Sequence, residues 1–256
     1  QTIIVEKFSE YVANGEVNTE FVCTESEHSA MTACLAASAT GARAFTASAS
    51  AGLALMHEML FVTSGCRAPV VMEVANRALS APLNIHGDHS DAMAERDSGW
   101  IQIYVENAQE AYDWTVQAFR IAEEKNVQLP VSVNLDGFII THCMEGVDIV
   151  DDDKVAKFLN EREPIFKLDT QSPVTFGALC FTDYYYEFKR QQVEALTHVP
   201  RVLNAVAEEY KTVSGRSYGV LDTYGMEDAE AAVLCLGSTA GTAREVARRL
   251  RALGKQ

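Results

Sequence analysis

Residues 100–137 read WIQIYVENAQEAYDWTVQAFRIAEEKNVQLPVSVNLDG. The two ends, WIQIYVE (100–106) and PVSVNLDG (130–137), are short and rich in β-branched and aromatic residues, as strands are. Between them, 108–125 carries apolar residues at helical spacing, with Asn107 placed to cap and Glu110 three residues on, a capping-box arrangement. Strand, helix, strand over so few residues is a parallel crossover unit. Working back toward the N-terminus, the alternation continues. PVVMEVA (69–75), RAFTAS (43–48) and FVCTE (21–25) read as strands, separated by helices over 53–64 and 27–40, the latter stopped by Gly41. Apolar strands alternating with helices predict an α/β fold, a parallel sheet flanked by helices on both faces.

The 256 residues include 36 Asp+Glu against 21 Lys+Arg, a net charge of −15. That balance argues against nucleic acid or an anionic membrane surface as partner, since both demand clustered positive charge. No stretch approaches the roughly 18 apolar residues of a membrane span, and the N-terminus has no secretory pattern. Six dispersed cysteines (Cys23, Cys34, Cys66, Cys143, Cys180, Cys235) form no C-x-x-C pair. They are expected to be reduced core residues of a cytoplasmic protein. At the N-terminus Ile4, Phe8, Tyr11 and Val12 mark an amphipathic helix; residues 138–225 are irregular, with an acidic run at 151–153 and a helix near 184–210. AAVLCLGS (231–238) reads as a buried strand, followed by a helix over 241–253. One such unit cannot bury its own apolar face. The expected division is therefore a domain over 1–225 with an incomplete N-terminus, and the first βα unit of a second α/β domain over 226–256.

Ligands of an open parallel sheet bind at the carboxyl ends of its strands. Three turns there carry chemistry. Glu25-Ser26-Glu27-His28-Ser29 follows the first strand; Ser26 reads as an N-cap, and one of the two glutamates is the candidate to face a ligand. Ser48-Ala-Ser-Ala-Gly52 is built of small residues that let a ligand approach the backbone. Asn76-Arg77 opens a long loop to Gly99 holding His86, Asp88, His89, Asp91, Arg96 and Asp97. Loops of that length are usually functional or disordered. His86, Asp88 and His89 lack a diagnostic metal spacing, and a hydrogen-bonded loop is the favoured reading; no metal ligand is assigned to this chain.

Seven segments in order, ESEHSA (25–30), GLALMHE (52–58), ANRALSAP (75–82), DHSDAMAERDSGWIQ (88–102), LDGF (135–138), FGALCFTDYYYEFKRQQ (176–192) and GSTAGTAREV (237–246), resemble the alpha subunits of the pyruvate:ferredoxin oxidoreductase family, within the 2-oxoacid:ferredoxin oxidoreductase superfamily. The resemblance spans essentially the whole chain. It implies a thiamine-diphosphate pyrimidine-binding domain followed by the start of a transketolase C-terminal-like domain. The activity it implies is reversible oxidative decarboxylation of pyruvate with coenzyme A and ferredoxin, giving acetyl-CoA and carbon dioxide. On this resemblance Glu27 matches the glutamate that shares a proton with N1′ of the cofactor's aminopyrimidine. Arg77 matches the arginine that binds the substrate carboxylate, and Gly52 lies in the cofactor-binding turn. A family segment with a substrate-contacting threonine would precede Gln1. The chain has no G-D-G with a downstream Asn for magnesium and diphosphate, and no iron–sulfur cysteines. The resemblance thus implies thiamine diphosphate shared with a partner subunit. Magnesium and the clusters would lie on partners, a beta, a gamma and a ferredoxin-like delta subunit.

Three alternatives compete. A related oxidoreductase acting on branched-chain 2-oxoacids, oxalate or 2-oxoglutarate would keep the same Arg77. A noncatalytic interaction subunit is disfavoured by Glu27 and Arg77 occurring together. A dinucleotide-binding enzyme lacks its G-x-G-x-x-G, since GSTAG (237–241) has the wrong spacing.

Overall fold

The computed structural model describes residues 2–255. Its elements are α1 (Thr2–Ala13), α2 (Glu27–Ala39), β1 (Phe45–Ser48), α3 (Ala51–Leu55), α4 (His57–Gly65), β2 (Val71–Asn76), α5 (Ser90–Ala94), β3 (Ile101–Tyr104), α6 (Ala108–Glu123), β4 (Val131–Asp136), α7 (Asp152–Leu159), α8 (Tyr185–Ser214) and α9 (Thr239–Ala252). The strands form one sheet in the order β1-β2-β4-β3, every pairing parallel. The α/β expectation therefore holds, with four of the expected strands in place.

The alternation of side chains along a strand divides the core in two. Val71, Val131, Val133 and Leu135 face α6 and α8, packing with Trp114, Ile121, Val206 and Tyr210. Met72 and Val74 face the other way, against Met31 of α2 and Leu53, Met56 and Leu60 of α3 and α4. Asn107 accepts from the Glu110 amide at 2.9 Å. The Glu110 carboxylate reaches back to the amide of Glu106, one residue earlier than a capping box requires. Asp113, fully buried on α6, accepts from Tyr210 of α8 and pairs with Arg216 just past its end. That cluster fastens α8 and the chain beyond it to the sheet layer.

Several expectations need correction. FVCTE (21–25) is not a strand but an irregular lead-in to α2, with Val22 exposed. Its apolar alternation has no neighbouring strand to pair with among the described residues. AAVLCLGS (231–238) is likewise irregular; Val233 and Leu234 are over four-fifths exposed. A strand forms only against a partner, and this segment pairs with none among the described residues; it touches the sheet through Gly237 and Ser238, at Asp136. The helix after it, α9, is present. The helix expected over 53–64 divides at Met56 into α3 and α4. None of the six cysteines is in the core: Cys23 and Cys143 are exposed and the others half-buried, all of them free. α1 forms, but Ile3, Ile4, Val5 and Tyr11 stay exposed on it.

Glu73 sits mid-strand in β2, where Thr115 of α6 donates to one carboxyl oxygen at 2.9 Å while the other has no partner. Burial pushes its pKa up, and the Thr115 bond only partly opposes this. A carboxyl that is harder to ionise when folded contributes stability at acid pH and loses it as pH rises through the raised pKa. Glu73→Gln should therefore raise Tm at pH 8, by roughly 2–4 °C for each 1 kcal/mol recovered, and give no gain at pH 4. Calorimetry at the two pH values checks this; an equal shift at both would show that ionisation is not the cause.

Candidate functional site

Glu27 is the first residue of α2, held there by an N-cap: Ser26 has extended backbone, and its Oγ accepts from the Ser29 amide at 3.3 Å. An open cleft of about 270 Å³ lies beside it, lined by Glu27 with Ser26, Ala30, Thr46, Ala47 and Met56 among others. β1 is one of the sheet's two edge strands, so the cleft runs along that margin. Gly52, in α3, closes on Glu27 from one side. A Cβ there would sit 2.8 Å from Glu27 Oε1 and 2.8 Å from Ser48 Oγ. A side chain there would therefore displace the Glu27 carboxylate or the Ser48 hydroxyl, and glycine leaves both where they are.

The two glutamates of this turn differ sharply. Glu25 is exposed, and the Ser29 hydroxyl donates to its Oε1 at 2.5 Å; that bond holds its carboxyl below the usual range. The Glu27 carboxylate has no hydrogen-bond partner among the described residues, which leaves both its oxygens available to a ligand.

Arg77 follows β2 directly and is held by its backbone. It forms an isolated antiparallel bridge with Gly87, and its amide donates to Asp91 Oδ2 at 3.0 Å. Gly137 presses against it; a Cβ there would meet Arg77 Cγ at 2.6 Å and the Asn76 carbonyl at 2.5 Å. No acceptor among the described residues takes the guanidinium. Arg77 follows the carboxyl end of β2, while Glu27 opens α2 beside the edge strand β1; neither side chain is paired among the described residues, and Arg77 does not itself line the cleft.

Asp91 is the residue that sequence reasoning passed over. It was one of several charges in a long loop, yet it is only 1% exposed. Its Oδ2 accepts from the amides of Ser50 (2.9 Å) and Arg77 (3.0 Å), and its Oδ1 from Asn76 Nδ2 (2.9 Å) and the Ala92 amide (2.7 Å). Ser50, at a φ of +49°, also donates to the Ala78 carbonyl at 2.6 Å. One carboxylate so ties the Gly52 turn, the end of β2 and the start of α5 together. The available signal was a polar residue, Asn76, ending an apolar strand.

The remaining loop residues do not converge. Asp88 accepts from the Ser90 amide, and His86 packs on Phe138 with ring centroids 4.9 Å apart. His89 Nε2 meets Asp136 Oδ1 at 2.6 Å. Asp136 Oδ2 accepts from the Ser238 amide at 2.8 Å and its hydroxyl at 2.5 Å. The bond to Asp136 raises the His89 pKa against the opposing effect of burial. Burial would raise Asp136, but the bonds from His89 and Ser238 outweigh it and hold it low. The pair is charged from below the ordinary aspartate range to above the ordinary histidine range.

Comparison with known proteins shows the family to which the chain belongs. A family model described as "Pyruvate flavodoxin/ferredoxin oxidoreductase, thiamine diP-bdg" matches residues 1–208. The pyruvate synthase subunit PorA of Thermotoga maritima is 53% identical over 255 residues, covering 99% of this chain and 65% of that protein. PorA of Methanocaldococcus jannaschii is 51% identical, covering 100% and 66%. The ketoisovalerate oxidoreductase subunit VorA of Pyrococcus horikoshii is 41% identical, covering 99% and 64%. The chain thus spans just under two thirds of the length of these relatives. Among solved structures, a 2-oxoglutarate:ferredoxin oxidoreductase from Magnetococcus marinus superposes with a TM-score of 0.70 at 20% identity, over 98% of this chain and 47% of that one. At that identity the likeness is one of fold.

Asp91→Asn keeps the shape but presents an NH₂ to amides that need an acceptor. It should cost about 2–4 kcal/mol, the usual penalty for orphaned buried groups beside a lost charge. Urea unfolding checks it: the midpoint should fall with the slope unchanged, and an unaltered midpoint would remove Asp91 from its place at the centre of these turns.

Proposed function

The chain belongs to the pyruvate flavodoxin/ferredoxin oxidoreductase thiamine-diphosphate-binding family, and from that premise we propose that it supplies the pyrimidine-binding half of the active site in a pyruvate:ferredoxin oxidoreductase. The observation that carries this reading is Glu27, an unengaged carboxylate on an open cleft with the Cβ-free Gly52 pressed against it. These residues suit the aminopyrimidine of thiamine diphosphate. A flat ring needs a carboxyl at its N1′ edge and close backbone approach along its side. Bound thiamine diphosphate would supply the nucleophilic carbon that takes up the 2-oxo carbon of pyruvate.

This chain's residues then have separate tasks. Glu27 holds and returns the proton at N1′, the proton whose position governs how basic the neighbouring amino group is. Gly52 keeps the carboxylate clear on one side. Arg77 holds the substrate carboxylate bidentately, which lysine does less well. Magnesium, diphosphate contacts and iron–sulfur clusters fall to beta, gamma and ferredoxin-like delta partners. The products are acetyl-CoA, carbon dioxide and reduced ferredoxin, with pyruvate synthesis as the reverse. Residues 1–225 form the pyrimidine-binding domain and 226–256 open the transketolase C-terminal-like one. A cytoplasmic setting suits six free cysteines. Among the described residues no helix is long and apolar enough to cross a membrane. VorA at 41% identity favours a second reading, a branched-chain 2-oxoacid as substrate, but the pyruvate synthase subunits are nearer at 46–53%.

In the complex reconstituted from full-length subunits, Glu27→Gln should leave cofactor binding intact. It should slow exchange of the cofactor C2 proton by about 10²–10⁴-fold, as loss of proton-transfer catalysis does. Glu25→Gln should change it little, because that carboxylate is already committed to Ser29. Hydrogen–deuterium exchange followed by NMR decides; equal rates for Glu27→Gln and wild type would make Glu27 an ordinary first-turn carboxylate.

Arg77→Ala should lower kcat/KM for pyruvate by about 2–5 kcal/mol, the loss expected for a desolvated charge pair, with cofactor binding retained. Steady-state assays with pyruvate and with larger 2-oxoacids test both the role and the substrate preference. Undiminished kinetics would reject the role.

A further inference from the structure

Ser48, the last residue of β1, is fully buried, and its hydroxyl has no hydrogen-bond partner among the described residues. Two other buried serines settle on a carbonyl: Ser38 donates to Pro69 at 2.8 Å and Ser50 to Ala78 at 2.6 Å. A few other buried side-chain atoms also lack partners, but each has a local account. Glu73, Asn76 and Gln117 each make a bond through their second polar atom. Ser98 lines an internal void of about 10 Å³ together with Glu95, Gln102 and Asn134, close to the space one water needs. Ser48 does not line that void. What it does have near it is the Glu27 carboxylate: Ser48 Oγ and Glu27 Oε1 each lie 2.8 Å from where a Gly52 side chain would start.

We propose that Ser48 is a positioning residue for Glu27, its hydroxyl donating to the Glu27 carboxylate once an aminopyrimidine is seated in the cleft. A buried hydroxyl left without a partner is destabilising. A donor held unused beside the one carboxylate that must move a proton gains its partner when ligand binding fixes that carboxylate. Gly52 then has a second task, keeping the space between the two oxygens empty. The inference rests on the reading of Glu27 given above and assigns to this chain a group that acts through it, with no contact of its own to the substrate.

The test is Ser48→Ala, measured twice. In the ligand-free chain its Tm should equal or exceed that of wild type, because the substitution removes an unsatisfied group and no bond. In the reconstituted complex with thiamine diphosphate, exchange of the cofactor C2 proton should slow about tenfold, the worth of one hydrogen bond. Added to Glu27→Gln, the same substitution should slow exchange no further, since its effect passes through the missing carboxyl. A lowered Tm in the free chain would make Ser48 a structural residue and overturn the proposal. So would unchanged exchange, or additive losses in the double variant. If Glu27→Gln alone leaves exchange at the wild-type rate, the reading of Glu27 fails, and with it the role of Ser48.

Discussion

The carboxylate of Asp91 organises the carboxyl edge of this sheet. Three of its four bonds come from backbone amides, on the β1–α3 turn, the residue after β2 and the start of α5. Strand ends splay when nothing holds them, because the ladder that fixes a strand stops where the chain leaves it. Here one buried charge gathers donors from three separate turns and sets Ser50 and Arg77 relative to each other. Charge-assisted bonds of this kind are stronger than neutral ones, and a charge buried with its donors satisfied makes departure from the arrangement costly.

Much of the fold was legible. PVVMEVA, WIQIYVE and PVSVNLDG became β2, β3 and β4 because each is apolar, short and flanked by turn residues. Where legibility failed, the missing element was a partner. FVCTE and AAVLCLGS have the composition of strands, but a strand is a relation between two chains. β4 adds a subtler case. Its alternation of Val131, Val133 and Leu135 with Ser132, Asn134 and Asp136 suggests one wet face, yet all six residues are buried. The polar face is covered, and its groups are satisfied locally: Asn134 donates to the Ile103 carbonyl and accepts from Asn76.

At the site, residue types were legible and their states were not. Glu25 and Glu27 are two residues apart and chemically identical. What separates them is that Ser29 lies one helical turn beyond Glu25 and claims its oxygen. Ser48 and Asp91 were hidden for opposite reasons. A serine in a run of small residues carries no signal, and an aspartate among many charges in a polar loop carries too much. Only burial distinguishes them, and burial is a property of the fold.

Asp136 has a wider consequence. Its two oxygens are divided between residues that lie far apart in the chain, His89 on one and Ser238 on the other. The next residue, Gly137, is wedged against Arg77. The lead-in to α9 therefore hangs from the same strand end that braces the proposed substrate arginine. The lead-in to α9, the loop bearing His89 and Arg77 thus share one point of attachment, the end of β4.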